Sequence, residues 1–151
     1  MRLFAALLAI AVLAGCASTQ SPAIPENLPP APADFEASCG SGGGNPNVWE
    51  GYTLFADGRV RYWSGLRIEL ESEERGMVPA EEVAAFWYAV QQAEYFGISK
   101  NGLGDKTAVL EIEGGDQKNR TSWPVVGNTG RPDVVQQLFA QCQEVAQKAN
   151  P

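Results

Sequence analysis

Tyr52-Thr53-Leu54-Phe55-Ala56-Asp57-Gly58-Arg59-Val60-Arg61-Tyr62 decides the architecture, because it reads as two strands joined by a tight turn. Asp-Gly between alternating apolar residues is a strong short-range hairpin signal. The side-chain pattern then selects the register, since a slip of one residue exchanges the two faces of a strand. A two-residue loop sets Leu54 against Arg61. A three-residue loop, Ala56-Asp57-Gly58 with Gly58 at positive φ, sets Leu54 against Val60 and Tyr52 against Tyr62. The second register makes one face apolar and is the expected one. The hairpin spans Trp49 to Trp63, and its other face carries Thr53, Phe55, Arg59, Arg61 and Trp63. Arginine and aromatic side chains are enriched in interface cores. Arg59, Arg61 and Trp63 are therefore the candidate partner-binding residues, with an ordinary half-covered sheet face as the alternative.

Downstream, Leu66, Ile68 and Leu70 alternate with Arg67, Glu69 and Glu71, the pattern of a third strand with one wet face. Ser72 to Gly76 reads as a charged loop. Pro79 opens a helix, with Glu81 and Glu82 near the positive end of its dipole. Val83, Phe86, Trp87, Val90 and Ala93 form its apolar stripe, and Gly97 is the expected cap. Asn101 to Asp105 is a loop. Thr107 to Glu113 alternates with Ala108, Leu110 and Ile112 inward, and Gly114 to Gln117 turns the chain. Lys118 to Val125 returns with Thr121 and Trp123 on one face, and Pro124 marks a strand end or a sheet edge. After a loop at Asn128, Pro132 and Asp133 begin a last helix whose buried face is Val135, Leu138, Phe139, Cys142 and Val145.

Upstream, the run Gly40-Ser41-Gly42-Gly43-Gly44 reads as a flexible loop. A phosphate-cradling loop needs a following helix and usually a lysine, and Asn45-Pro46-Asn47 comes next instead. The expected fold is α+β and two-layered. An antiparallel sheet of about five strands carries two helices on one face, in the order βββαββα.

The first residues form a separate block. Met1-Arg2 leads into an apolar run, Leu3 to Ala14, which is shorter than the about 20 residues of a membrane-spanning helix. Leu13-Ala14-Gly15-Cys16 resembles the bacterial lipobox, the plan of an export signal ending at a cysteine that receives lipid. The resemblance implies that residues 1–15 are removed, that Cys16 is the lipidation site and that the membrane partner is reached through it. An ordinary secreted protein with a chance cysteine is the other reading. Ala17 and Ser18 follow, where lipoproteins of the inner membrane often carry Asp. The expected location is therefore the outer membrane, with the domain in the periplasm. Residues 16–34 hold Pro22, Pro25, Pro29, Pro30 and Pro32 and read as a lipid-bearing cysteine followed by a semi-extended spacer. Fully extended, the spacer reaches on the order of 50 Å. Residues 35–151 then form a single domain.

The chain has 151 residues, 11 basic and 18 acidic, and no histidine. Without Arg2 the balance is 10 against 18, a net charge of −8, which repels nucleic acid and anionic lipid surfaces. With Cys16 set aside, Cys39 and Cys142 are the expected disulfide of an oxidising compartment, two unpaired thiols being the alternative. A Cys-x-x-Cys redox motif does not occur.

Cys39 with its glycine-rich continuation, the stretch Tyr52 to Tyr62 and the helix ending Tyr95-Phe96-Gly97-Ile98 together resemble a bacterial, lipoprotein-associated family of domains of unknown function. The resemblance covers roughly residues 35–148. It departs near Gly40–Asn47, where that family often has a second cysteine. It implies a fold and no activity.

The expected function is a non-catalytic, lipid-anchored envelope module that binds a protein partner or maintains the envelope, without a cofactor. A periplasmic inhibitor of a hydrolase is a variant of this. A small-ligand or calcium-binding domain is the alternative, although no D-x-D-x-D-G spacing occurs. Without histidine the usual triads and most zinc sites are excluded. Asp57, Asp105 and Asp116 remain as carboxylates for a two-acid hydrolase, but all three stand in turns, where aspartate has backbone reasons to be. No catalytic and no metal-ligating residue is expected.

Overall fold

A computed structural model of the chain describes Pro25, residues 27–66, residues 69–125 and residues 131–149, with Glu69 and Leu70 placed by their backbone alone. The export signal, Cys16, most of the spacer, Arg67, Ile68 and the Asn128 loop expected above lie outside the described residues. Six strands and two helices follow one another as β1 (Glu36–Gly43), β2 (Val48–Phe55), β3 (Arg59–Leu66), β4 (Glu69–Met77), α1 (Ala80–Gln92), β5 (Lys106–Gly114), β6 (Gln117–Pro124) and α2 (Val134–Gln147). The strands form one sheet in the order β4-β3-β2-β1-β5-β6, and every neighbouring pair is antiparallel. The α+β class and the antiparallel sheet are thus as expected, with one more strand, while the expected third strand from Leu66 to Glu71 is divided: Leu66 ends β3 and Glu69, its partner across the sheet, begins β4.

The central hairpin has the expected register. Leu54 faces Val60 and Tyr52 faces Tyr62 across β2 and β3. Gly58 takes φ +88°, and its amide bonds back to the Phe55 carbonyl at 3.0 Å. A side chain there would also strike the Val78 carbonyl, so this turn requires glycine on two grounds.

Two loops expected from the sequence are strands. The glycine run from Gly40 to Gly43 belongs to β1, paired on one side with β2 and on the other with β5, and Gly44 begins the turn after it. The charged stretch Ser72 to Gly76 belongs to β4. A register shift between Val60 and Arg61 leaves Arg75 as an extra residue of β4, and its guanidinium sits 4.7 Å from the centre of the Tyr62 ring. Residues 71–75 are all exposed because β4 is an edge strand with water on both sides, and so no alternation is selected. Its glutamates also discourage pairing with another edge.

One face of the sheet is the core. Ala37 and Cys39 of β1, Leu54 of β2, Val60 of β3, Ala108, Leu110 and Ile112 of β5, and Trp123 of β6 are buried there. Against them pack Val83, Phe86 and Val90 of α1 and Val135, Leu138, Cys142 and Val145 of α2, in a single cluster with Phe35. Pro79 is the N-cap of α1 rather than its first residue. Gly97 does not end α1. The helix stops at Gln92, Glu94 takes the left-handed conformation with φ 49°, and Gly97 closes a short 3-10 turn from Tyr95. Asp133 is the N-cap of α2 and forms a reciprocal capping box with Gln136.

Three contacts fasten the layers. Cys39 and Cys142, both fully buried, form a disulfide with Cα atoms 6.3 Å apart. The buried Tyr95 hydroxyl donates to the Leu110 carbonyl at 2.6 Å, and burial pushes its pKa up to about 12. Asn119 donates to the carbonyls of Tyr95 and Ile98 at 2.7 and 2.9 Å, tying the 3-10 turn to β6. Ahead of β1, Ala31 packs on the core and Asp34 accepts from the Gly115 amide at 3.0 Å.

The disulfide closes a loop of 103 positions, which is worth roughly 4–5 kcal/mol in the chain-entropy account. Cys39→Ala with Cys142→Ala is expected to lose that much in chemical denaturation. An unchanged denaturation midpoint contradicts the assignment.

Candidate functional site

The two faces of the sheet have different fates because side chains alternate along each strand. The face toward α1 and α2 is full. Among the described residues, no helix covers the other.

Register places the open-face residues in rows across the sheet. At one end stand Arg59 of β3, Phe55 of β2, Glu36 of β1, Glu113 of β5 and Lys118 of β6. The next row holds Glu74, Arg61, Thr53, Ser38, Glu111 and Arg120. These two rows carry charge. Lys118 reaches Glu111 and Glu113 at 2.8 Å each, and these carboxylates hold its ammonium well above the usual lysine value. Arg120 bonds Glu111 at 3.1 Å. Burial, and then the neighbouring Glu113 charge, push the Glu36 carboxyl up. Ser38 and Thr53 hydroxyls bond each other at 2.8 Å in the middle of the row.

Phe55 organises the arginines. The guanidinium carbon of Arg59 lies 4.9 Å from the ring centre and that of Arg61 lies 5.3 Å away, both within cation–π range. Asp57 fixes Arg59 from the turn. It accepts from the Arg59 amide at 3.1 Å and from its Nε at 2.7 Å, and the Arg59 hydrogen bonds hold the Asp57 carboxyl below its usual value. Arg61 is exposed and, among the described residues, forms no ion pair within 4.0 Å.

The remaining rows hold no charge among the described residues. One contains Ser72, Trp63, Gly51, Gly40, Val109 and Ser122. The other contains Gly65, Trp49, Gly42, Thr107 and Pro124. The glycines explain the tryptophans. A methyl group on Gly40 or Gly51 would run into the Trp63 indole, and one on Gly42 into the Trp49 indole. Each indole therefore lies against bare backbone of a neighbouring strand. Trp49 is also held by its Nε1–H, which donates to Asn47 Oδ1 at 2.8 Å.

The structure thus brings Arg59, Arg61 and Trp63 together on one face, uncovered among the described residues, as β3 alternation predicted. It adds Phe55 as their organiser and Trp49 as a second platform. Trp49 was not singled out from sequence. The signal was present in the spacing Gly40-x-Gly42, which leaves room on one face of one strand for large neighbours. The three aspartates are not brought together. Asp57 and Asp116 occupy different turns, and Asp105 precedes the opposite end of β5 from Asp116.

One other concavity is notable, a groove of about 360 Å³ between α2 and the β5–β6 end of the core face. Ser41, Trp123, Pro124, Gln136, Phe139 and Gln143 line it, and none of its lining residues is charged.

A bulkier residue at Gly51 must displace Trp63. Gly51→Ala is expected to lose about 1–3 kcal/mol by overpacking and to shift tryptophan emission. Gly97→Ala, where nothing stands within 4 Å of the added carbon, should stay within about 0.5 kcal/mol of the parent. Equal melting temperatures for the two variants contradict this packing.

No family model matches the chain, and no curated protein matches its sequence.

Proposed function

We propose that this chain is a lipid-anchored envelope protein whose domain is a non-catalytic binding module, and that the arginine–aromatic end of the open sheet face takes a protein partner. The observation carrying this reading is the cluster itself. Phe55 holds the guanidiniums of Arg59 and Arg61, with Trp63 two residues further along β3, on a face uncovered among the described residues. Arginine and tryptophan dominate binding hot spots because they combine large contact area with few lost rotamers or with directional donors. A guanidinium already positioned by an aromatic ring loses less freedom on binding than a free one.

The order of residues 1–34 supports the address. The lipobox-like Leu13-Ala14-Gly15-Cys16 supplies the anchor, and the proline-rich spacer lets the domain stand off the outer membrane on its periplasmic side. Two or more acyl chains hold far more firmly than one, at about 0.8 kcal/mol per buried methylene. The acidic balance of the chain leaves that attachment to the lipid. The separation of Asp57, Asp105 and Asp116 supports a binding role over two-carboxylate hydrolysis. Blockade of a hydrolase is one form such binding could take.

Crosslinking of the full-length protein in its native envelope, followed by mass spectrometry of what is retained, tests the reading. One dominant protein partner is expected, reduced at least tenfold by Arg61→Glu with Trp63→Ala while the melting temperature stays close to the parent's. A partner retained unchanged by the folded double variant moves binding off this face. Labelling with palmitate is expected to be lost in Cys16→Ala.

A further inference from the structure

The open face is divided by charge. Its two rows at the Arg59 and Arg61 end hold every ionisable side chain described on it, and the two rows at the Trp49 and Trp63 end hold none. Both indoles are half-buried on a face that no helix covers among the described residues, and apolar surface rimmed by polar residues is where ligands and partners dock.

From this division we propose a second site: the uncharged half of the open face binds a neutral glycan strand, with sugar rings stacked on Trp49 and Trp63. The proposal rests on the open face being the working surface; Trp63 borders the arginine end as well, whereas Trp49 belongs to this half alone.

Four features carry it. First, the platform is shallow. Gly40, Gly42, Gly51 and Gly65 contribute no side chain to these rows, so an extended chain can lie across them without a wall to climb. Second, the rings are fixed in advance. Trp63 rests against Gly40 and Gly51, while Trp49 rests against Gly42 and is tethered through Nε1 to Asn47. Preorganised rings lose little freedom on binding. Third, the indoles are neighbours. Trp49 faces Gly65 and Trp63 faces Gly51, so they are diagonal neighbours on adjacent strands. Such positions stand roughly 7–8 Å apart, within reach of one extended ligand. Fourth, the rim is hydroxylic. Ser72 and Ser122 end the Trp63 row on its two sides, where sugar hydroxyls would meet donors and acceptors rather than charges.

The chemistry selects the ligand. The C–H faces of a pyranose ring carry slight positive charge and settle on the electron-rich face of an indole. An anionic polysaccharide or a nucleic acid would also present flat rings, but it would approach a chain of net charge −7 with no cation among the described residues of the platform to receive it. A wholly apolar peptide would make no use of the serine hydroxyls at the rim. A neutral, hydroxyl-bearing chain satisfies both the rings and the rim.

The test uses the whole folded domain and a soluble hexamer of β-1,4-linked N-acetylglucosamine, followed by intrinsic tryptophan fluorescence, with polygalacturonate as the anionic control. The expected result is a saturable spectral change with the neutral hexamer, absent with polygalacturonate. Trp49→Ala should weaken it at least tenfold, Trp49→Phe should keep most of it because a ring remains, and Arg61→Glu should leave it within about twofold. Melting curves of each variant separate lost binding from lost folding. No spectral change at millimolar hexamer overturns the proposal, as does undiminished binding in a folded Trp49→Ala variant. Loss of hexamer binding in Trp49→Ala, with the protein partner still captured, supports two separate sites. A protein partner lost in the same folded variant, with no hexamer binding in the parent, assigns the whole face to protein and overturns the glycan site.

Discussion

The bond between Cys39 and Cys142 joins the two layers at a fully buried point, and the rest of the domain is arranged around that attachment. Cys39 lies on β1, which has β2 on one side and β5 on the other. Cys142 lies in the middle of the buried face of α2. Holding the last helix against this inner strand commits one sheet face to the core. By the alternation of β structure it commits the other to the outside. Both consequences follow from one covalent contact between residues 103 positions apart. The Tyr95 hydroxyl does for the segment after α1 what the disulfide does for α2, by bonding to the carbonyl of Leu110 on β5.

Much of this was legible where one residue type had a single physical use. Leu54 and Val60 had to face each other for the hairpin to own an apolar side, and they do. The stripes of α1 and α2 were plain because helices buried on one side repeat at 3.6 residues. The glycine run was opaque for a specific reason. Gly40 and Gly42 pack through side chains that belong to other strands, so their own letters carry no alternation. The part of β4 from Ser72 to Gly76 was opaque for the opposite reason, because an edge strand with both faces wet is under no pressure to alternate. The cap of α1 was misread because Glu94 accepts a left-handed conformation that usually falls to glycine, leaving Gly97 to the following turn. In the candidate site, Arg59, Arg61 and Trp63 followed directly from register. Phe55 as their clasp, and Trp49 as a second platform, depend on which strand lies beside which and so emerge only from the assembled sheet.

The open face combines two chemistries that sequence order kept apart. Its charged rows are internally paired over β5 and β6, where Lys118 and Arg120 answer Glu111 and Glu113. Over β2 and β3 the pairing is incomplete among the described residues, and Arg61 is exposed beside Phe55. The glycine-floored rows beyond them present rings in place of charge. Such a face suits recognition at a surface better than enclosure of a reactant, since a flat sheet excludes little water.

The central claim is that the open sheet face, and not the helical layer, meets the envelope. Hydroxyl-radical footprinting of the full-length protein in the envelope proposed for it, compared with the purified protein, tests it most directly. The account predicts that oxidation of Trp49, Phe55 and Trp63 falls severalfold in the envelope while the exposed side of α2 is modified equally in both. Equal oxidation of the three open-face rings, with protection confined to the helices, would contradict it.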